Sequence, residues 1–274
     1  QVSGAAALVW QAFPYFTNDL VRQTLLGTAD PLGGSQPNST FGYGELDVGR
    51  AVQGPAQFNW GDVNVSFDNL TSTWGNDITG AGGLIKNGTG TLILTGNDSY
   101  SGGTQILGGS LQATNTLPGN VTVGGAGTLD AVPGIADLLS NSGTVVVKGG
   151  DTKVGGNYTQ AATGTLSISM GSILNITGNA QLAGTLNVLG EDSGYVTTSH
   201  QDVLDAGGVV NGTFAQLTTS PGVFLNTTIQ YTPNTVWLDT TSLSITQAAQ
   251  AMALTDPASS AAAMRVQNSF DAIN

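Results

Sequence analysis

The sequence predicts a mainly β protein, in which a right-handed parallel β-solenoid follows a short helical start. Glycine supplies 40 of the 274 residues and charged residues only 9%, so the chain consists of many turns and few solvated helical faces. From about Gly80 to Leu189, short runs of Val, Ile, Leu and Thr alternate in period two, as strands with one buried side do. Gly-Thr precedes an apolar run at Gly90-Thr91, Gly127-Thr128, Gly143-Thr144, Gly164-Thr165 and Gly184-Thr185, at intervals of 37, 16, 21 and 20 residues. Three of the four intervals suit one solenoid coil, whose period is about 20 to 50 residues.

The elements follow in order. Val2 to Trp10 is small and apolar, with Ala at helical spacings, and reads as a closely packed buried helix. A second helix is expected from Asn18 to Leu26, with Thr17 as N-cap, Asp19 facing the helix dipole and Gly27 as the stop. Leu20, Thr24 and Leu25 would share its buried face. Phe41 to Arg50 reads as a tight turn into a short helix that carries Val48 and Ala51.

Strands are expected at Thr91–Thr95, Val121–Val123, Thr144–Val147, Leu166–Ser169 and Leu186–Leu189. A coil of short strands cannot bury its inward face alone, so stacked coils must form one apolar column with polar residues and glycines at the corners. A β-sandwich also has short alternating strands, but the Gly-Thr recurrence and the Asn- and Gly-rich corners favour the solenoid. From Glu191 to Thr241 the strands lengthen and gain Tyr195, Phe214, Phe224, Tyr231 and Trp237, with turns at Pro221 and Pro233. This segment would cap the last coil. The tail from Ser244 to Asn274 reads as weak helix broken at Pro257, loosely packed and linker-like.

Composition excludes several functions. Eighteen acidic against 6 basic residues give a net charge of -12, which repels phosphate backbones and anionic lipids, so nucleic acid is no partner. With 0 cysteines there is no disulfide, thiolate metal site or cysteine nucleophile. No run approaches the roughly 18 apolar residues of a membrane helix. A secretion signal, if the protein is exported, would lie upstream of Gln1.

No catalytic, cofactor-binding or metal-binding residue is assigned, and no cofactor is expected. Ser199-His200-Gln201-Asp202 places the sole histidine beside a hydroxyl and a carboxylate. Adjacent strand residues point to opposite faces, however, and a relay joins groups at about 3 Å from distant positions. His200 is therefore expected to be a solvated turn residue. Asp77, Asp98, Asp130 and Asp151 could form carboxylate pairs across coils, yet Asp is also a common turn former. Lys86, Lys148 and Lys153 are the only bases available in the solenoid for lyase chemistry. Gly124 to Asp130 misses the calcium-binding nonapeptide by one residue and does not recur. Trp10, Trp60, Trp74 and Trp237 read as core and cap packing rather than as a carbohydrate platform, with Trp60 and Trp74 sealing the start of the solenoid.

Gln1 to Val9 (QVSGAAALV) resembles the helix behind the nucleophile of subtilisin-like (S8) serine proteases, and Phe41 to Val52 (FGYGELDVGRAV) resembles the close of the same domain. On that likeness the nucleophilic Ser would stand five residues before Gln1 and the acid and base further upstream. Leu84 to Ala113 is similar to the strand repeat of autotransporter passengers, and Gly207 to Trp237 to the passenger segment that assists folding. The resemblance implies five segments. These are the end of a subtilisin-like α/β catalytic domain at 1–53, a lead-in at 54–79, a solenoid at 80–190, an autochaperone-like β cap at 191–241 and a helical linker at 242–274. It implies a stalk for a secreted peptidase, with an upstream protease domain and a downstream outer-membrane barrel as partners. It further implies a monomer at the cell surface or secreted, acting on protein substrates through the complete enzyme. A non-enzymatic adhesin with a vestigial protease start is the alternative. The helical start is expected to be poorly ordered or adapted without the rest of its domain.

Overall fold

A computed structural model describes residues 1–191, 198–220, 225–242, 246, 249–250 and 256–271. It is a parallel β-solenoid in which each coil contributes strands to two long faces and, beyond Leu117, to a third. The first face stacks Val63–Ser66, Leu84–Asn87, the starts of Thr104–Ala113 and Val121–Asp130, then Leu139–Asn141, Tyr158–Gln160, Ala180–Leu182 and Val210–Gly212. The second stacks Thr71–Trp74, Thr91–Leu94, the ends of the two long strands, Thr144–Val147, Thr165–Met170, Thr185–Glu191 and Gln216–Thr219. The third stacks Gly134–Ile135, Thr152–Val154, Leu174–Ile176 and Thr198–Ala206.

Register explains the Gly-Thr recurrence. Thr71, Thr91, Ser110, Thr128, Thr144, Thr165, Thr185 and Gln216 occupy one row, each opening its strand's run on the second face. The interval of 37 residues spans two coils, because Gly109-Ser110 takes the intervening place. Glycine precedes the row because the corner is crowded. A Cβ on Gly127 would lie 2.1 Å from the Ile106 carbonyl oxygen of the previous coil.

The neighbouring row points inward. Leu92, Leu111, Leu129, Val145, Leu166 and Leu186 stack one above the other and are fully buried. Each such side chain contributes about 1.5–3 kcal/mol by leaving water. Parallel pairing throughout these coils rules out the β-sandwich. The ladder begins at Val63, ahead of the strand-rich region read from Gly80 onward. Its sequence signal there is weak because Asn64, Ser66, Thr71 and Thr73 supply the outward positions of two very short strands.

Helix α1 (Val2–Ala12) and helix α2 (Asn18–Gly27) pack together before the first coil, with the short α3 (Val48–Ala51) beside them. Thr17 caps α2 by accepting the Leu20 N–H at 3.2 Å. Gly27 does not stop α2; it is the last helical residue, and Thr28 follows as the cap. Its missing side chain serves packing instead, since a Cβ there would lie 3.1 Å from Gln57 Cβ.

At the far end the sheet changes style. Thr198–Ala206 pairs antiparallel with Thr235–Ser242, which pairs antiparallel with Leu225–Tyr231. Tyr195 and Phe224 lie outside the described residues. Helix α4 (Pro257–Asp271) starts at Pro257, and residues 246 and 249–250 ahead of it are also helical. Proline suits the first helical turn, where its missing N–H has no helical partner to lose. Among the described residues no helix is long and apolar enough to cross a membrane.

Candidate functional site: the joint and the corners

The helical start meets the solenoid through a continuous train of rings. Phe13 stacks on Phe16 at 4.6 Å, Tyr15 lies on Phe67 at 4.2 Å, and Phe16 meets Trp74 edge-on at 5.8 Å. Trp74 continues to Phe58 at 6.5 Å, and Phe58 to Tyr100 at 5.0 Å inside the next coil. The polar tips are satisfied. Trp74 Nε1 donates to the Tyr15 hydroxyl at 3.0 Å, and that hydroxyl pairs with Ser72 Oγ at 2.7 Å. Burial pushes the Tyr15 phenol up to about 12, with the Ser72 and Trp74 hydrogen bonds opposing it.

Main chain ties the same joint. Asn76 Nδ2 donates to the Arg50 carbonyl at 2.9 Å and to the Gly54 carbonyl at 2.6 Å. A Cβ on Gly54, whose φ is +107°, would lie 3.0 Å from the Trp74 ring, so only glycine lets the ring settle here. Trp74 thus seals the joint, as its position in the sequence suggests. Trp60 lies nearby against Tyr43, with ring centres 5.8 Å apart. The helical start packs on the first coils through these contacts.

The carboxylates considered for pairing across coils already have partners, as do other carboxylates at the corners. Asp62, Asp68 and Asp77 accept the backbone N–H of Gly83, Thr89 and Asn97 at 2.8, 2.6 and 2.7 Å, each one coil further along. Asp151 takes the Ile173 N–H at 2.9 Å, Asn157 that of Asn179 at 2.8 Å, and Asn179 that of Val209 at 2.9 Å. Each bond fastens a turn to its neighbour in the stack. The Thr89 N–H and hydroxyl hold the Asp68 carboxyl below the usual range.

Asp98 runs the other way, accepting the Ile78 N–H of the preceding coil at 2.9 Å. Burial raises its carboxyl to about 6; the Ile78 hydrogen bond opposes the shift and nearby Asp77 adds to it. Asp130 is bound by Lys148 Nζ at 2.8 Å and by Gln112 Nε2 at 2.7 Å. Gly124 to Asp130 lies within one long strand.

Lys86 is the surprise among the bases, because its side chain points into the column and is fully buried. Its ammonium donates to the carbonyls of Asn87, Gly88 and Gly108 at 2.8, 3.3 and 3.3 Å and sits 4.5 Å from the Phe67 ring centre. Burial lowers its affinity for the proton, and Asp68 partly restores it. Lys153 stands exposed on the third face.

His200 is a strand residue and not a turn residue. It lies on Thr198–Ala206 opposite Asp239, with Nδ1 2.9 Å from Asp239 Oδ1 and Nε2 3.9 Å from Asp202 Oδ1. The Trp237 ring lies 5.3 Å away. Asp239, its true partner, is 39 residues distant in sequence; only the hairpin register could have revealed it. Among the described residues no three His, Asp or Glu side chains converge on a metal-sized site.

Comparison with known proteins agrees with this anatomy. A sequence model of the subtilase family matches residues 1–44, and the passenger-associated-transport-repeat model matches residues 84–113. The Neisserial autotransporter lipoprotein NalP of Neisseria meningitidis serogroup B is 34% identical over 215 residues, covering 74% of this chain and 20% of NalP. The extracellular serine protease of Serratia marcescens is 30% identical over 168 residues, 47% of this chain and 16% of that protein. The adhesin BmaC autotransporter of Brucella suis is 39% identical over 141 residues, 41% of this chain and 4% of that protein. The chain therefore spans about a fifth or less of the length of these relatives. With subtilase sequence at its start, a transport repeat in its stack and a β-solenoid between its capped ends, the chain is a scaffold portion of an S8 autotransporter passenger, a class that is exported to the cell surface or secreted.

Proposed function

We propose that this chain is the stalk and joint that carries a subtilisin-like serine endopeptidase. The close of the catalytic domain occupies 1–53 and is fixed to the stalk, 54–79 leads into the solenoid of 80–190, and 191–241 caps it. Residues 242–274 lead to an outer-membrane barrel in the same polypeptide. The supporting observation is the ring train from Phe13 to Tyr100, which joins the helical start to the first coils through successive aromatic contacts. Peptide-bond cleavage would be performed upstream of Gln1 and act on protein substrates. Each coil that docks on a folded one gains burial and ladder bonds, biasing the chain outward during export.

The test uses the full-length protein displayed on cells. Labelling with a serine-directed fluorophosphonate and hydrolysis of casein should both occur, and Trp74→Ala should lower surface-displayed peptidase several-fold. Unchanged display and activity in Trp74→Ala would remove the joint's role. BmaC, an adhesin by name, favours the second reading of a vestigial protease start; full-length protein that neither labels nor cleaves casein would establish it.

A further inference from the structure

A pocket of about 290 Å³ opens where the helical start meets the first coil, lined by Leu26, Pro37, Tyr43, Gln57, Asn59 and Trp60 among others. Its size is at the lower end of ligand pockets, which run from about 300 to 1,000 Å³. No carboxylate, ammonium or guanidinium lines it. Two other hollows differ on this point, for one contains Lys153 and Asp205 and the other Lys148 and Asp151, and neither has an aromatic ring.

The polar groups are paired in a particular way. Asn59 Nδ2 donates to Gln57 Oε1 at 2.8 Å. That bond orients the two amides and leaves Gln57 Nε2 as a donor and Asn59 Oδ1 as an acceptor, neither with a hydrogen-bond partner among the described residues. A donor beside an acceptor complements neighbouring hydroxyls, each of which both gives and takes a hydrogen bond. The Tyr43 and Trp60 rings, inclined at 49° with centres 5.8 Å apart, supply apolar faces with a positive edge and a negative face.

We infer that this pocket binds one neutral pyranose unit of a glycan, its C–H face on Trp60 and its hydroxyls on Gln57 and Asn59. An acidic or amino sugar would arrive with a charge that no lining group neutralises. A proline-rich peptide could also use the rings, but it offers few donors for Asn59 Oδ1, since proline lacks an N–H.

Saturation-transfer NMR on the 274-residue chain tests the assignment, with glucose, galactose, mannose and N-acetylglucosamine as separate probes. At least one sugar should receive saturation on its ring protons. Gln57→Leu, which keeps the side-chain volume, should weaken that binding about tenfold, and Trp60→Ala should abolish it, while Trp237→Ala leaves it intact. Thermal melts identify any variant that has lost its fold, and Gln57→Leu then carries the test alone. Transfer to none of the sugars would overturn the proposal, as would transfer that survives Gln57→Leu unchanged. Binding of a polyproline decapeptide without sugar binding would reassign the pocket to peptide.

Discussion

The two ends of the solenoid are closed by different physics. At the start, α1, α2 and α3 cover the first coils by packing, and the contacts are rings and apolar side chains with a few partly buried hydrogen bonds. At the far end, an antiparallel hairpin continues the third face by strand pairing, with the exposed His200–Asp239 pair on its outer side. A stack of coils must cover an apolar column and also satisfy the edge groups of its last strands. The first end solves mainly the former problem and the second mainly the latter.

This contrast makes the first end sensitive to lost volume. Trp74→Ala should give the largest effect, about 3–5 kcal/mol. Hydrogen exchange in α1 and α2 should accelerate with the first coil, while the hairpin of Leu225–Tyr231 and Thr235–Ser242 keeps its protection. Equal loss of protection at both ends would show that the two closures are not independent.

Asp98 comes next, in the coil that Tyr100 links to the joint. Its folded value of about 6 lies above the ordinary carboxyl value of 3.8, so the folded state favours the protonated acid. The penalty is absent below about pH 4 and develops as pH rises through about 6. Asp98→Asn should therefore raise stability at pH 7 by up to about 3 kcal/mol, since a tenfold difference in proton affinity between the folded and unfolded chain corresponds to about 1.4 kcal/mol. Chemical denaturation between pH 4 and 7 should show a flatter stability curve for the variant. An unchanged slope would mean that the carboxyl is better hydrated than its surroundings imply.

A single corner bond near the far end should matter less. Asn157→Ala leaves the Asn179 N–H without its partner and should cost about 1 kcal/mol. Smaller still is His200→Ala, where the side chain is 63% exposed and an exposed ion pair contributes about 0–1 kcal/mol. A shift of the melting midpoint larger for His200→Ala than for Asn157→Ala would reverse the ordering and make the hairpin's surface pair a fastening of the cap.

Much of this is legible in the sequence because solenoids write their geometry in repeats. The Gly-Thr pairs mark a row on one face, and the alternation after each marks what points inward. Thr17 as N-cap is readable because capping is a local event. Gly27 misleads for the same reason turned around. Glycine after a helical run usually ends it, but α2 runs through Gly27, which packs against Gln57. His200 reads as a turn residue because the strand that pairs with its own lies far along the chain, at Thr235–Ser242.

By itself the sequence determined the solenoid, the place of the transport repeat and the subtilase character of the start, since each depends on local pattern or spacing. Tertiary structure alone decided which charges are structural. Lys86 alternates correctly for an inward position, yet nothing local says that the Gly108 carbonyl of the next coil will help satisfy its ammonium. The same holds for the meeting of Trp60 with Tyr43, and for the corner carboxylates. These arrangements arise only when residues about one coil apart, or from two different segments, are brought into register, and register is a property of the stack.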